Sequence, residues 1–172
     1  FPKLKMAITE VNAATYPALL EDLDEIVRNI QKGSIGELKY SKEDSLPKLA
    51  SEYFAQNVWV GASFPAHEEA AARSVIAPDR FMWGSDYPHD EGTGPYTREH
   101  LRQVFHAEPE DEMRRILGEN AAALYGFDLD ALAPLAAQHG PTVEELRVPL
   151  DELPSEPNSA LLKAEKQAAK VA

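Results

Sequence analysis

Cysteine is absent from the 172 residues. That excludes disulfides, thiolate metal sites and a cysteine nucleophile, and it leaves the redox compartment open. Basic residues are scarce: 17 Lys and Arg stand against 29 Asp and Glu, a formal charge of −12. A phosphate backbone or an anionic membrane is repelled overall, and no local basic patch offsets this, so neither nucleic acid nor membrane is an expected partner. Long apolar runs are missing too. None approaches the roughly 20 residues that span a bilayer, and no signal-peptide pattern opens the chain, so a cytoplasmic location is the expectation. Several catalytic patterns are also lacking. There is no H-x-H or H-E-x-x-H, and His67, His89, His100, His106 and His139 stand alone. Ser63 and Ser85 lack the G-x-S-x-G elbow, and Gly92-Thr93-Gly94 is neither a Walker nor a Rossmann loop.

What is present is an alternation of strand-like and helix-like stretches in a chain long enough for one domain with a sizeable core. Leu4 to Thr9 reads as a strand closed by Glu10. Leu19, Leu20, Leu23, Ile26, Val27 and Ile30 then recur at helical spacing, with Thr15 as cap, acidic residues opposite and Gly33 and Gly36 as the stop. The polar stretch from Gln31 to Pro47 reads as a long loop, either gating a substrate or a plain insertion. Leu46 to Gln56 is a short helix and Asn57 to Phe64 a second strand. A helix starting at Pro65 runs to Ile76, and Arg80 to Ser85 is a third strand. Helices follow from Thr97 to about Phe105 and from Pro109 to a stop at Gly126. The order predicts parallel strands joined by right-handed crossovers. Past Asp128 the texture changes. Leu129, Leu132 and Leu135 suggest a helix, Thr142 to Glu145 a capping box, and Ser159 to Ala172 an Ala/Lys-rich tail. The chain therefore divides into residues 1–127 and an appendage, 128–172, that packs on the domain or on a neighbouring subunit.

The stretch richest in chemistry is Phe81 to Glu91, where a short apolar strand delivers Asp86, His89, Asp90 and Glu91 within a few residues. In parallel α/β architectures the C-terminal end of the sheet is where chemistry sits. Glu10 closes the first strand as Asp86 closes the third, so both carboxylates are placed to project from one rim. There one can bind a metal and the other act as base. Asp86 is the convincing ligand candidate, and a self-contained site from Asp86, His89 and Glu91 is the less favoured arrangement. His89 is placed to position substrate or to donate to a ligand. Trp59, Phe81, Trp83 and Tyr87 read as core or pocket wall.

Three β-α units do not close a sheet, since a (β/α)8 barrel needs eight strands and typically ~250 residues. A three-stranded open sheet leaves both edges to be covered. The start of the chain in a strand-like phrase favours the later part of a barrel over a small open layer.

The run M-W-G-S-D-Y-P-H-D-E-G-T-G-P at 82–95 resembles the amidohydrolase superfamily, specifically the amidohydrolase 2 group, which also contains nonoxidative decarboxylases. S-E-Y-F at 51–54, I-L-G-E-N-A-A-A-L-Y-G-F at 116–127 and the opening F-P-K-L-K extend the resemblance to about residues 1–127. It implies the C-terminal part, about strands six to eight, of a (β/α)8 barrel whose rim holds a divalent metal, with zinc the expected ion. Asp86 then matches the metal-binding aspartate that handles a proton from the attacking water. Glu10 is a candidate catalytic residue, and Tyr87, His89 and Glu91 line the substrate pocket. The family's first-strand H-x-H and fifth-strand His have no counterpart in this sequence. Where many relatives carry a His after the sixth strand, this chain has Glu10-Val11-Asn12-Ala13, which puts the usual reaction in doubt.

The resulting expectation is a hydrolase that acts on a small organic substrate, at a C–N, C–O or carboxylate centre, through a metal-activated water. Its partners are the missing N-terminal barrel half and further copies in a homo-oligomer. By itself this chain is expected to be inactive and without stoichiometric metal. A nonoxidative decarboxylase and a non-catalytic half-barrel interaction module are the alternatives.

Overall fold

The computed structural model describes residues 1–33, 43 and 45–170. Most of the polar stretch read as a gating loop or a plain insertion, and Gly36 with it, lies outside the described residues.

Met6–Thr9 (β1), Val58–Ser63 (β2) and Phe81–Gly84 (β3) form a parallel sheet in the order β1-β2-β3. Ile8 lies opposite Val60, and Val60 opposite Phe81. Side chains alternate along a strand, so these three residues share one face with Ala62 and Trp83, and that face packs against helices. Val60 and Phe81 are completely buried there. Parallel neighbours need crossovers, and helices supply them. Tyr16–Gln31 (α1) and Ala50–Asn57 (α2) join β1 to β2, and His67–Ala71 (α3) and Arg73–Ile76 (α4) join β2 to β3. The result is a mixed α/β fold with a small parallel sheet, as the residue pattern predicts.

Helix α1 has two apolar stripes. Tyr16, Leu20 and Val27 are buried, the first two in the same core cluster as Val60 and Phe81, while Leu19, Leu23 and Ile26 are exposed on another side. Asp24, also buried, accepts from the backbone N–H of Ser51 at 2.8 Å and from its hydroxyl at 2.6 Å. Burial raises the Asp24 carboxyl pKa, but these bonds and Arg28 outweigh it and hold it below the usual range. Ser51 of the S-E-Y-F run is thus the point where α2 is pinned to α1.

After β3 come Thr97–Phe105 (α5), Glu110–Arg114 (α6), a π-helical turn at Arg115–Glu119, and Asn120–Tyr125 (α7). The expected stop at Gly126 is present as a left-handed residue with φ 78°. Asn120 gives the L-G-E-N run its structural meaning: its side-chain amide donates to the carbonyls of Pro78 and Phe81, at 2.6 and 2.7 Å. Those carbonyls flank the entry to β3, so the helix sets where the strand begins.

The helix expected from Leu46 begins only at Ala50, and three further details differ from the sequence reading. The helix expected from Pro65 to Ile76 starts at His67 and is interrupted at Ala72. Thr97, expected as a cap, is instead the first helical residue, and its hydroxyl pairs with that of Thr93 at 2.9 Å. The helical stretch after Pro109 is interrupted by its π turn, which the hydrophobic stripe alone does not reveal.

Beyond residue 128, Leu129–His139 (α8) buries no residue, Val143–Leu146 (α9) buries Leu146, and Ala160–Ala169 (α10) buries Leu162. The capping box is formed: Thr142 Oγ1 accepts from Glu145 N at 3.1 Å, and Glu145 Oε2 accepts from Thr142 N at 2.7 Å. No helix among the described residues is long and apolar enough to cross a membrane.

Candidate functional site

Because the strands are parallel, their C-terminal ends meet at one rim, and each leads into a residue with unusual backbone. Glu10 follows β1 with φ 59°, Phe64 follows β2 with φ 37°, and Asp86 lies just beyond β3 with φ 61°. Left-handed backbone is uncommon for residues other than glycine, and such strain concentrates at functional sites. Here it recurs at all three strand exits, and all three residues line one cleft of about 350 Å³.

The cleft gathers residues that are far apart in sequence. Glu10, Asn12, Ser63, Glu69, Asp86, His89 and Glu91 supply its polar lining, with Val11 and Phe64 as apolar wall. The Asp86 side chain is 14% exposed and its Oδ2 lies 3.2 Å from Nδ1 of His89, whose ring is 59% exposed. Donor atoms of Asp86, His89 and Glu91 all fall within 4.8 Å of one another. Tyr87, expected in the pocket, is 85% exposed and is not among the lining residues.

The loop that carries these groups is held by its own backbone. His89 N–H donates to Asp86 O at 2.9 Å, Gly92 N–H to His89 O at 3.1 Å, and Thr93 N–H to Ser85 O at 3.0 Å. Gly92 is required by the packing: a Cβ there would sit 2.7 Å from Ser85 O and 3.1 Å from both Asp86 O and His89 O. Thr93 beneath it is almost completely buried.

Glu69 has a different task. Its Oε1 accepts from Ala13 N–H and its Oε2 from Ala66 N–H, each at 3.1 Å. It ties the β1 rim to the start of α3, and both oxygens are engaged. By position alone Glu69 is only a carboxylate in the first turn of α3. Sequence reading also passed over Asn12, Ser63 and Phe64 as site residues. For Ser63 and Phe64 a signal existed, since they end β2 as Glu10 and Asp86 end their strands.

The donor chemistry suits a divalent cation: two carboxylates and an imidazole are hard or borderline ligands. Two donors each about 2.1 Å from one ion are at most about 4.2 Å apart. The three donors here all lie within 4.8 Å of one another, close to that limit, so they fit as members of a ligand set. Asp86 is its least exposed member.

The family model described as amidohydrolase matches residues 35–127, just over half of the chain. The chain belongs to the amidohydrolase family. The matched part of this amidohydrolase chain contains β2, β3, the rim loop and the helices to Tyr125. β1 with Glu10 lies before it, and α8 to α10 lie after it. No curated protein matches the chain. The family is typically metal-dependent, in keeping with a candidate triad at the rim.

Proposed function

We propose that this amidohydrolase chain supplies strands six to eight of a (β/α)8 barrel, and that the complete barrel is a metal-dependent hydrolase of small organic substrates with a C–N, C–O or carboxylate reacting centre. One observation carries the reading. Asp86 leaves β3 in a left-handed conformation and presents a mostly shielded carboxylate to the same cleft that Glu10 enters from β1.

Support for further strands comes from the open edges. β1 and β3 each pair on one side only among the described strands. Leu4 and Met6 near the free edge of β1, and Leu19, Leu23 and Ile26 on α1, are exposed together. Apolar residues left exposed at a strand edge and on a crossover helix are the kind that another β-α unit would cover. The Trp83 indole N–H is buried without a partner among the described residues, which is uncommon in a complete fold.

In this reading Asp86 holds the divalent ion, zinc being the expected one, together with donors from the other strands. When bound, such an ion supplies Lewis acidity and lowers the pKa of water. Asp86 Oδ2 accepts from the Nδ1–H of His89, which keeps the carboxylate oriented. Glu10 accepts a proton as base from the β1 side of the cleft. Glu69 is excluded from that role because both of its oxygens accept backbone N–H groups. His89 and Glu91 line the substrate pocket.

The test is turnover by the barrel-complete protein. Asp86→Asn is expected to lower metal-dependent kcat by roughly 10²-fold or more, and full activity in that variant contradicts the reading. Release of carbon dioxide without hydrolysis would assign the nonoxidative decarboxylase instead. The open edges favour one further reading, a non-catalytic half-barrel module. It requires this chain to associate through those edges and to show no turnover even in the complete barrel.

A further inference from the structure

The segment that precedes and begins α10 bonds to the β3 rim loop and to α5, although it lies outside the family match. Two consecutive residues make the contacts. Asn158 Nδ2 donates to the carbonyl of Gly94, next to the buried Thr93 of the β3 rim loop. Ser159, 1% exposed, pairs through Oγ with Nδ1 of His100 at 3.0 Å.

His100 is completely buried on α5, and its Nε2 lies 3.1 Å from the carbonyl of Pro65. A carbonyl only accepts, so Nε2 carries the proton. Nδ1 of the neutral ring is then the acceptor, and the Ser159 hydroxyl donates. Pro65 directly follows Phe64, the left-handed residue of the cleft wall. The next residue, Ala66, is bound by Glu69, which also binds Ala13 on the β1 rim. A continuous chain of bonds therefore runs from Ser159 through His100 and Pro65 to both the β2 and β1 sides of the cleft.

The segment is itself anchored. Leu162 is buried at 1% exposure, Glu165 Oε1 lies 3.2 Å from His67 Nε2, and Lys166 donates to the carbonyls of Pro154 and Ser155, each at 2.7 Å. Lys166 thereby fixes the turn that leads into Asn158.

We propose that residues 154–166 form a clamp that fixes the two rim loops relative to each other, with His100 as the positioning residue between Ser159 and the β2 exit. The clamp acts on the cleft from outside it, since neither His100 nor Ser159 lines the cleft. It does not depend on which reaction the cleft performs.

Hydrogen exchange on the full chain tests this, with Asn158→Ala/Ser159→Ala, His100→Leu and His100→Gln. Gln keeps a donor for Pro65 and an acceptor for Ser159. The clamp predicts that the double variant and His100→Leu speed exchange about 10-fold or more at the Ala13, Ala66 and Thr93 amides. It predicts that His100→Gln restores protection at Ala13 and Ala66. Faster exchange confined to α10, with those three amides unchanged, overturns the proposal. Should His100→Leu unfold the chain, the double variant, which leaves the His100–Pro65 bond in place, decides alone. Because no activity is read, failure here is separate from failure of the hydrolase reading, which rests on Asp86→Asn.

Discussion

Asp86 Oδ2 stands 3.2 Å from His89 Nδ1 across a single turn of the rim loop, the shielded carboxylate carrying the exposed ring. This pair holds a cleft carboxylate in one orientation with a group that solvent can still reach. Its effect on function is separable from folding. His89→Ala removes an exposed side chain, so thermal stability should change by no more than about 0.5 kcal/mol. Turnover of the complete barrel should fall by about 10-fold or more if His89 orients Asp86. Comparing melting temperature with kcat checks both halves.

The rim loop also depends on its glycine. Gly92→Ala would bring a Cβ to 2.7 Å from a backbone carbonyl, and backbone cannot swing aside as a side chain can. The expected cost is about 1–3 kcal/mol. Gly118, in the π-helical turn, has nothing within 4 Å of its virtual Cβ. Gly118→Ala should therefore be neutral or stabilising, by up to about 1 kcal/mol. Denaturant titration of both variants reads the contrast, and equal destabilisation would contradict the packing argument.

Asn120→Leu tests the junction of helix and strand. It leaves the carbonyls of Pro78 and Phe81 without their donor in a buried setting. A loss of about 1–3 kcal/mol in unfolding free energy is expected.

His100 makes the fold sensitive to acid. Burial comes first among the causes that lower its pKa to about 4, with the charge of His67 adding to it and the Pro65 hydrogen bond opposing it. The folded pKa lies below the ordinary 6.5, so the neutral ring's contribution is complete above pH 6.5 and is lost as pH falls toward about 4. A tenfold difference in proton affinity between the folded and unfolded chain corresponds to about 1.4 kcal/mol, so the loss amounts to a few kcal/mol. Subtracting the stability profile of His100→Gln from that of the wild type isolates this slope from the carboxylates, and identical profiles would contradict it.

Much of the fold was legible in the residues because local and tertiary preferences agree. Val58 to Ser63 and Phe81 to Gly84 are short apolar runs bounded by polar or turn residues, and Thr97 to Phe105 follows its helical stripe. The interruption at Ala72 was hidden, since Ala is the best helix former. The rim was legible by position: Glu10 and Asp86 end parallel strands and so share a cleft. Glu69 could not be read as a rim tie, because its partner Ala13 is a backbone amide 56 residues away. The same holds for the clamp, which joins Ser159 to His100 across 59 residues. Periodicity reports faces of elements and carries no information on such pairs.

Asp86 as a metal ligand is tested most directly by zinc affinity, measured by chelator competition in the barrel-complete protein. Wild type is predicted to bind one ion, and Asp86→Asn to bind it roughly 10-fold or more weakly with the fold intact. Equal affinity in the two proteins would contradict the account.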